Sequence, residues 1–178
     1  MNAPSNIILI GYRGSGKTTL GRLLADQLWK KFVDVDEVTC RKLGGRTIAQ
    51  IWEQDGEPAW REAEIEVTKE VLAKKDQVIG LGGGTLMQPE AKRTVAEAPN
   101  AIRIYLKCEP QELFRRIAND TRSAATRPHL TGLGGGLEEI QQVLAQRDPV
   151  YQAVADHVFD VTMVDPEGGL RHLIKRCL

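Results

Sequence analysis

Ile7-Ile8-Leu9-Ile10-Gly11-Tyr12-Arg13-Gly14-Ser15-Gly16-Lys17-Thr18 is the stretch on which the fold turns. Four aliphatic residues in unbroken succession suit a strand covered on both faces. The next eight residues fit G-x-x-x-x-G-K-[ST]. Each position has a chemical reason. Glycines let the backbone wrap closely around phosphate oxygens with its N–H groups turned inward. The helix that follows offers its positive N-terminal end. Lys17 reaches the outer phosphates, and the Thr18 hydroxyl suits Mg²⁺. With ordinary residue frequencies, such a match arises by chance roughly 4 × 10⁻⁵ times per position. Gly14, Ser15, Gly16, Lys17, Thr18 and Thr19 are therefore candidate contacts to a nucleotide's phosphates, with Thr18 the candidate metal ligand.

Working outward, short β-like runs alternate with longer helical stretches. Leu20, Leu23, Leu24 and Leu28 recur at helical spacing after the loop. Phe32 to Val35 reads as a second strand, ending at Asp36. Thr47-x-x-Gln50 predicts a capping box for a short helix through Trp52. Pro58 then opens another helix, with Trp60, Ala63, Val67 and Val71 on one stripe. Val78 to Leu81 reads as a third strand closed by Gly82-Gly83-Gly84, and Ile102 to Leu106 as a fourth. Pro89 and Pro110 open helices. A helix is predicted from Leu137 to about Tyr151, a last strand over Val158 to Val161, and a last helix over Pro166 to Cys177. Strands joined by helices of this length mean crossovers and a parallel sheet. The expectation is one α/β domain over residues 1–178, a three-layer α/β/α sandwich with a five-stranded parallel sheet. Asn119 to Gly136 lacks apolar periodicity and carries Arg122 and Arg127, so it is read as a lid that meets an anion.

The 178 residues are 42% hydrophobic and 27% charged, with 24 Lys+Arg against 24 Asp+Glu. This balance argues against broad binding to nucleic acid or an anionic membrane, which needs a basic excess. Cys40, Cys108 and Cys177 stand far apart, with neither a disulfide framework nor a zinc knuckle indicated. No apolar run reaches the ~18 residues of a membrane span. Only Met1 to Asn6 precede the first strand, which leaves no room for a signal peptide. A cytoplasmic monomer is expected.

Outside the phosphate loop, the residues leave alternatives. In an open parallel sheet, ligands gather beyond the C-terminal strand ends. Asp34 and Asp36 there can orient Mg²⁺ waters or accept from a substrate hydroxyl, or Asp36 can simply cap a helix. Gly82-Gly83-Gly84 is either a tight turn or backbone packed against a small ligand. Arg147 falls on the apolar stripe of Ile140, Val143, Leu144 and Tyr151. It either meets a carboxylate or phosphate, or snorkels out at the stripe's edge. Spacing does not separate Arg61 from an exposed helix arginine.

These residues together resemble the shikimate kinase family, P-loop kinases of the nucleoside-monophosphate-kinase-like fold. The likeness rests on Gly11 to Thr18, Asp34-Val35-Asp36, Asp55-Gly56-Glu57-Pro58-Ala59-Trp60-Arg61 and Gly82-Gly83-Gly84. It continues through Arg127-Pro128-His129-Leu130 and Arg147-Asp148-Pro149-Val150-Tyr151. The resemblance implies ATP-dependent phosphorylation of the 3-hydroxyl of shikimate, with Mg²⁺. It implies Asp36, Lys17 and Arg127 as catalytic, Arg127 coming from the lid onto the ATP phosphates. It implies Asp36, Arg61, Gly82, Gly83, Gly84 and Arg147 as substrate contacts, within or near a helical region of about 37–74. Trp60 would wall the pocket, and Asp34 would support the metal through water. Three places depart from the family's pattern: His129 after Arg127-Pro128, the Leu133 to Gly136 run, which looks like a small insertion, and Met163 to Glu167, which lacks the adenine-side arginine of many members. A gluconate-type kinase of the same fold and a nucleotide-binding module without catalysis are the alternatives. Completeness of the Asp36, Arg61 and Arg147 set argues against the second.

Overall fold

The computed structural model describes residues 4–120 and 136–177. The predicted lid, with Arg122, Arg127 and His129, therefore lies almost wholly outside the described residues. Five parallel strands form one sheet: β1 (Asn6–Ile10), β2 (Lys31–Asp34), β3 (Gln77–Gly80), β4 (Ala101–Lys107) and β5 (His157–Asp160). Their order across the sheet is β2-β3-β1-β4-β5. β1 is central, and Ile7 to Ile10 are at most 1% exposed. An uninterrupted aliphatic run is what a strand covered on both faces requires.

Seven helices are described: α1 (Lys17–Gln27), α2 (Val35–Lys42), α3 (Ile48–Leu72), α4 (Pro89–Ala96), α5 (Pro110–Asn119), α6 (Leu137–Val154) and α7 (Pro166–Cys177). They flank the sheet. α1 packs against β2, β3 and α7, while α6 packs against α4, α5 and β4. Prolines open α4, α5 and α7, where a missing N–H costs nothing. None of these helices is long and apolar enough to cross a membrane. The three cysteines are free thiols.

Several predicted details change. The second strand stops at Asp34, not Asp36. Asp34 is the N-cap of α2 and accepts from the Glu37 N–H, so the chain turns helical at once and Asp36 lies in the first helical turn. The cap is thus Asp34, not Asp36. The capping box at Thr47 and Gln50 forms as predicted, with bonds of 3.2 and 2.9 Å. The two helices read around Pro58 are nearly one, α3, broken at Gly56 (φ 84°, ψ 159°). On α1, Leu23 faces solvent and the sheet is met by Leu20, Gly21, Leu24 and Ala25. Small residues win there because the helix lies so close: a Cβ on Gly21 would fall 2.3 Å from the Phe32 ring.

Candidate active site

Three loops converge beyond the C-terminal ends of β1, β2 and β3. The first is the turn from β1 into α1. Gly14 (φ 82°) and Gly16 (φ 94°) take left-handed conformations that suit glycine alone. They curl the backbone so that Lys17 Nζ donates to the carbonyls of Gly11 (2.8 Å) and Tyr12 (2.9 Å). The Thr18 hydroxyl donates to Asp34 Oδ2 at 3.1 Å. Residues Gly14 to Thr19 line a cleft of about 780 Å³. Asp34, Asp36, Arg115, Arg116, Val164 and Pro166 line it as well.

The part played by Arg115 and Arg116 was not legible in the sequence. Arg116 donates to Glu112 and to the carbonyls of Val161 (2.7 Å) and Thr162 (3.2 Å), which fastens the chain after β5 to α5. Arg115 and Arg116 together hold the Glu112 carboxyl down to about 2. Many family members place an adenine-side arginine near Met163 to Glu167, where this chain has none. The arginines here come from α5 instead, brought across by the parallel pairing of β4 and β5.

A second, narrower pocket opens beside the first. Arg61, Trp60 and Trp52 line it from α3, Arg147 from α6, and Gly83 and Gly84 from the turn after β3. Arg13 and Asp36 line both spaces and form the wall they share. Three guanidinium groups (Arg13, Arg61, Arg147) and two carboxylates (Asp36, Glu64) line it, and Glu57 pairs with Arg61 from outside the lining.

Arg61 is held rigidly. Nε and Nη2 donate to Glu57, at 3.0 and 2.9 Å, and Nη1 donates to Glu64 at 2.9 Å. Its face lies 5.5 Å from the Trp52 ring. An arginine has five N–H donors. Among the described residues three are used, which leaves one on each terminal nitrogen. Arg147 donates from Nη1 to the Gly83 carbonyl at 2.9 Å and lies over the Tyr12 ring. Arg147 is half-buried, and its described hydrogen bond goes to a backbone carbonyl rather than to a carboxylate.

The glycine triplet divides by position. Gly83 and Gly84 line the pocket, whereas Gly82 packs beneath it. A Cβ on Gly82 would lie 2.4 Å from Asp36 Oδ1 and 2.5 Å from Glu64 Oε1. A Cβ on Gly84 would lie 2.6 Å from Arg61 Nη1. Space, not conformation, demands glycine at both.

Glu64 is a residue the sequence reading missed. It is 1% exposed, yet charged neighbours surround it. Thr85 donates to its Oε1 at 2.7 Å, and Arg61 bonds its Oε2. Burial pushes its carboxyl up; the Arg61 charge opposes this and the nearby Asp36 charge adds to it. The available signal was its place on the stripe of Trp60, Ala63 and Val67. Arg127 lies outside the described residues.

Comparison with known proteins follows the same lines. A family model described as shikimate kinase matches residues 13–178. A shikimate kinase of Rhodopirellula baltica is 36% identical over 172 residues, 97% of this chain and 90% of that one. One from Chlorobium chlorochromatii is 40% identical over 156 residues, 84% of this chain and 78% of that one. The solved structure of shikimate kinase from Acinetobacter baumannii in complex with shikimate superposes with a TM-score of 0.88 at 29% identity. It covers 97% of this chain and 92% of that one. A phosphate loop, an arginine-rich pocket sharing Asp36 with it, and full-length likeness of this order leave one assignment, and the chain belongs to the shikimate kinase family.

Proposed function

We propose that this protein transfers the γ-phosphate of ATP to the 3-hydroxyl of shikimate. The observation that carries the reading is the shared wall: Asp36 and Arg13 line both the phosphate cleft and the arginine-lined pocket. A phosphoryl donor and an acid acceptor bound on either side of Asp36 meet at its carboxylate.

The roles follow from placement. Backbone N–H groups of Gly14 to Thr19 and the α1 N-terminus cradle the phosphates, and Lys17 exchanges its loop carbonyls for phosphate oxygens. Arg61 and Arg147 clamp the substrate carboxylate. Gly83 and Gly84 offer backbone, and Trp60 closes the pocket floor. Asp36 aligns the acceptor hydroxyl and takes its proton as the new O–P bond forms. The bond between the γ-phosphorus and its bridging oxygen breaks, and ADP leaves with that electron pair. Positioning supplies most of the rate. The Thr18 hydroxyl and the Asp34 carboxylate are hard oxygen donors close together, and they fit Mg²⁺, which needs few protein ligands when phosphates supply the rest. When bound, the ion offsets phosphate charge. The part of the cleft lined by Arg115 and Arg116 suits the adenine. Arg127's contact with the phosphates rests on the family resemblance. We place the reaction in a cytoplasmic monomer; the free thiols suit a reducing compartment.

The test is an ADP-release assay with ATP, Mg²⁺ and shikimate, quinate or gluconate. Turnover is expected with shikimate well above the other two. A preference for gluconate, or ADP release indifferent to the acid, removes the proposal.

A further inference from the structure

Gly83 is gripped from α6 by two residues one turn apart. Arg147 donates to its carbonyl at 2.9 Å, and the Tyr151 hydroxyl donates to the same oxygen in a short hydrogen bond. Both lone pairs of that carbonyl are therefore taken. The next positions around the helix, Asp148 and Gln152, face elsewhere. Asp148 Oδ1 accepts from the Tyr105 hydroxyl at 2.6 Å, and Oδ2 accepts from Gln152. Tyr105 is on β4, beside the central strand, and both tyrosines are 1% exposed. Their rings pack with centroids 5.1 Å apart.

Pro149 lies inside this turn of α6 and has no N–H to give to the Ala145 carbonyl. The turn that carries Arg147 thus lacks one rung of its own ladder. The same turn is tied by side chains to Gly83 and to Tyr105. Burial pushes the Tyr151 hydroxyl up to about 12, and Tyr105 also upward, so both stay protonated donors through the neutral range.

We propose that Tyr151 and Tyr105 are positioning residues for acid recognition. Tyr151 fixes the Gly83 carbonyl against which Arg147 is aimed. Tyr105, through Asp148, fixes the helical turn that bears both. The proposal rests on the reading of Arg147 as a carboxylate clamp. Neither tyrosine touches the phosphate cleft, so nucleotide binding is independent of them.

Tyr151→Phe and Tyr105→Phe keep the ring packing and delete only the hydroxyls. Each is to be made in the native chain and in Arg147→Ala, with KM for shikimate, KM for ATP and kcat measured. Each single variant should raise the shikimate KM about 3- to 10-fold, with the ATP KM and kcat within about twofold. In the Arg147→Ala background, the same changes should add less than about twofold, because the group they aim is gone. Equal factors in both backgrounds, or an unmoved shikimate KM, overturn the proposal. A merely structural role would instead lower stability and shift both KM values together. An Arg147→Ala variant with unaltered shikimate KM would bring down the clamp itself and this proposal with it; a large Arg147→Ala effect beside silent tyrosine variants brings down this proposal alone.

Discussion

Gly82 and Gly84 show how a single missing methyl group can set a site's geometry. They are two residues apart, and each abuts a different functional group. Gly82 lies under Asp36 and Glu64, and Gly84 under the Arg61 guanidinium. An added Cβ at either position must displace its neighbour, because no real side chain tolerates contacts of 2.4 to 2.6 Å. The atoms that must give way are the ends of side chains, so the cost falls on their placement more than on stability. The two substitutions should nevertheless differ in kinetics. Gly82→Ala pushes the Asp36 carboxylate from its place and should lower kcat at least about tenfold, since a small misplacement at the reacting group is costly. Gly84→Ala pushes Arg61 and should raise the shikimate KM with a smaller change in kcat. Steady-state kinetics on both variants separates these outcomes, and identical profiles would refute the division of labour. The triplet itself was legible in the sequence, but this division was not: it depends on which side chains from α2 and α3 arrive above each glycine. Glu64 was illegible for a related reason. A glutamate beside an arginine on a helix is most often solvated, and only the tertiary arrival of Thr85 and Asp36 makes it a buried member of the site.

Among the elements, α3 connects local sequence to the site most directly. Its first half is anchored by the Thr47 capping box and by Arg46, which donates to Leu43, Gln54 and Asp55. Its second half begins after Gly56 and carries Trp60, Arg61 and Glu64. Gly56 at φ 84°, ψ 159° holds a conformation that other residues rarely adopt, and Pro58 prevents the helix from simply running through. Gly56→Ala should therefore cost about 1–3 kcal/mol. For a domain of this size that is roughly 2–12 °C in Tm. It should also raise the shikimate KM, since the angle between the halves aims Arg61, while leaving the ATP KM nearly unchanged. Calorimetry with kinetics checks both; an unaltered Tm would show that the bend is not imposed by this residue. Strands and long helices were readable from the sequence because their apolar runs and opening prolines are local signals. Val35–Lys42 was not, because an eight-residue charged segment has no wide apolar stripe to read. Leu23 misled for the opposite reason, since its spacing was right but glycine and alanine made the closest approach.

At the scale of the molecule, the two pockets draw on the same sheet. β1 carries the phosphate loop, β2 leads to Asp34 and Asp36, and β3 leads to the glycine triplet, all hydrogen-bonded side by side in register. Neither pocket can lose its walls without the sheet coming apart. Ligands for both should therefore stabilise one cooperative unit rather than two independent ones. A ligand at 100 times its Kd adds about 2.7 kcal/mol to the native state. At this chain length that is roughly 5–11 °C in Tm. A nonhydrolysable ATP analogue with Mg²⁺, and shikimate, should each raise the midpoint of a single transition, and together should raise it further than either alone. Arg61→Ala should erase the increment from shikimate and keep the one from the nucleotide, because Arg61 lines only the second pocket. Scanning calorimetry decides the matter. Two separate transitions, with shikimate moving only one of them, would mean that the helical region bearing Arg61 unfolds apart from the sheet, and the single-unit account would fail. A nucleotide increment lost along with the shikimate increment in Arg61→Ala would mean that the wall formed by Asp36 and Arg13 does not keep the two spaces distinct.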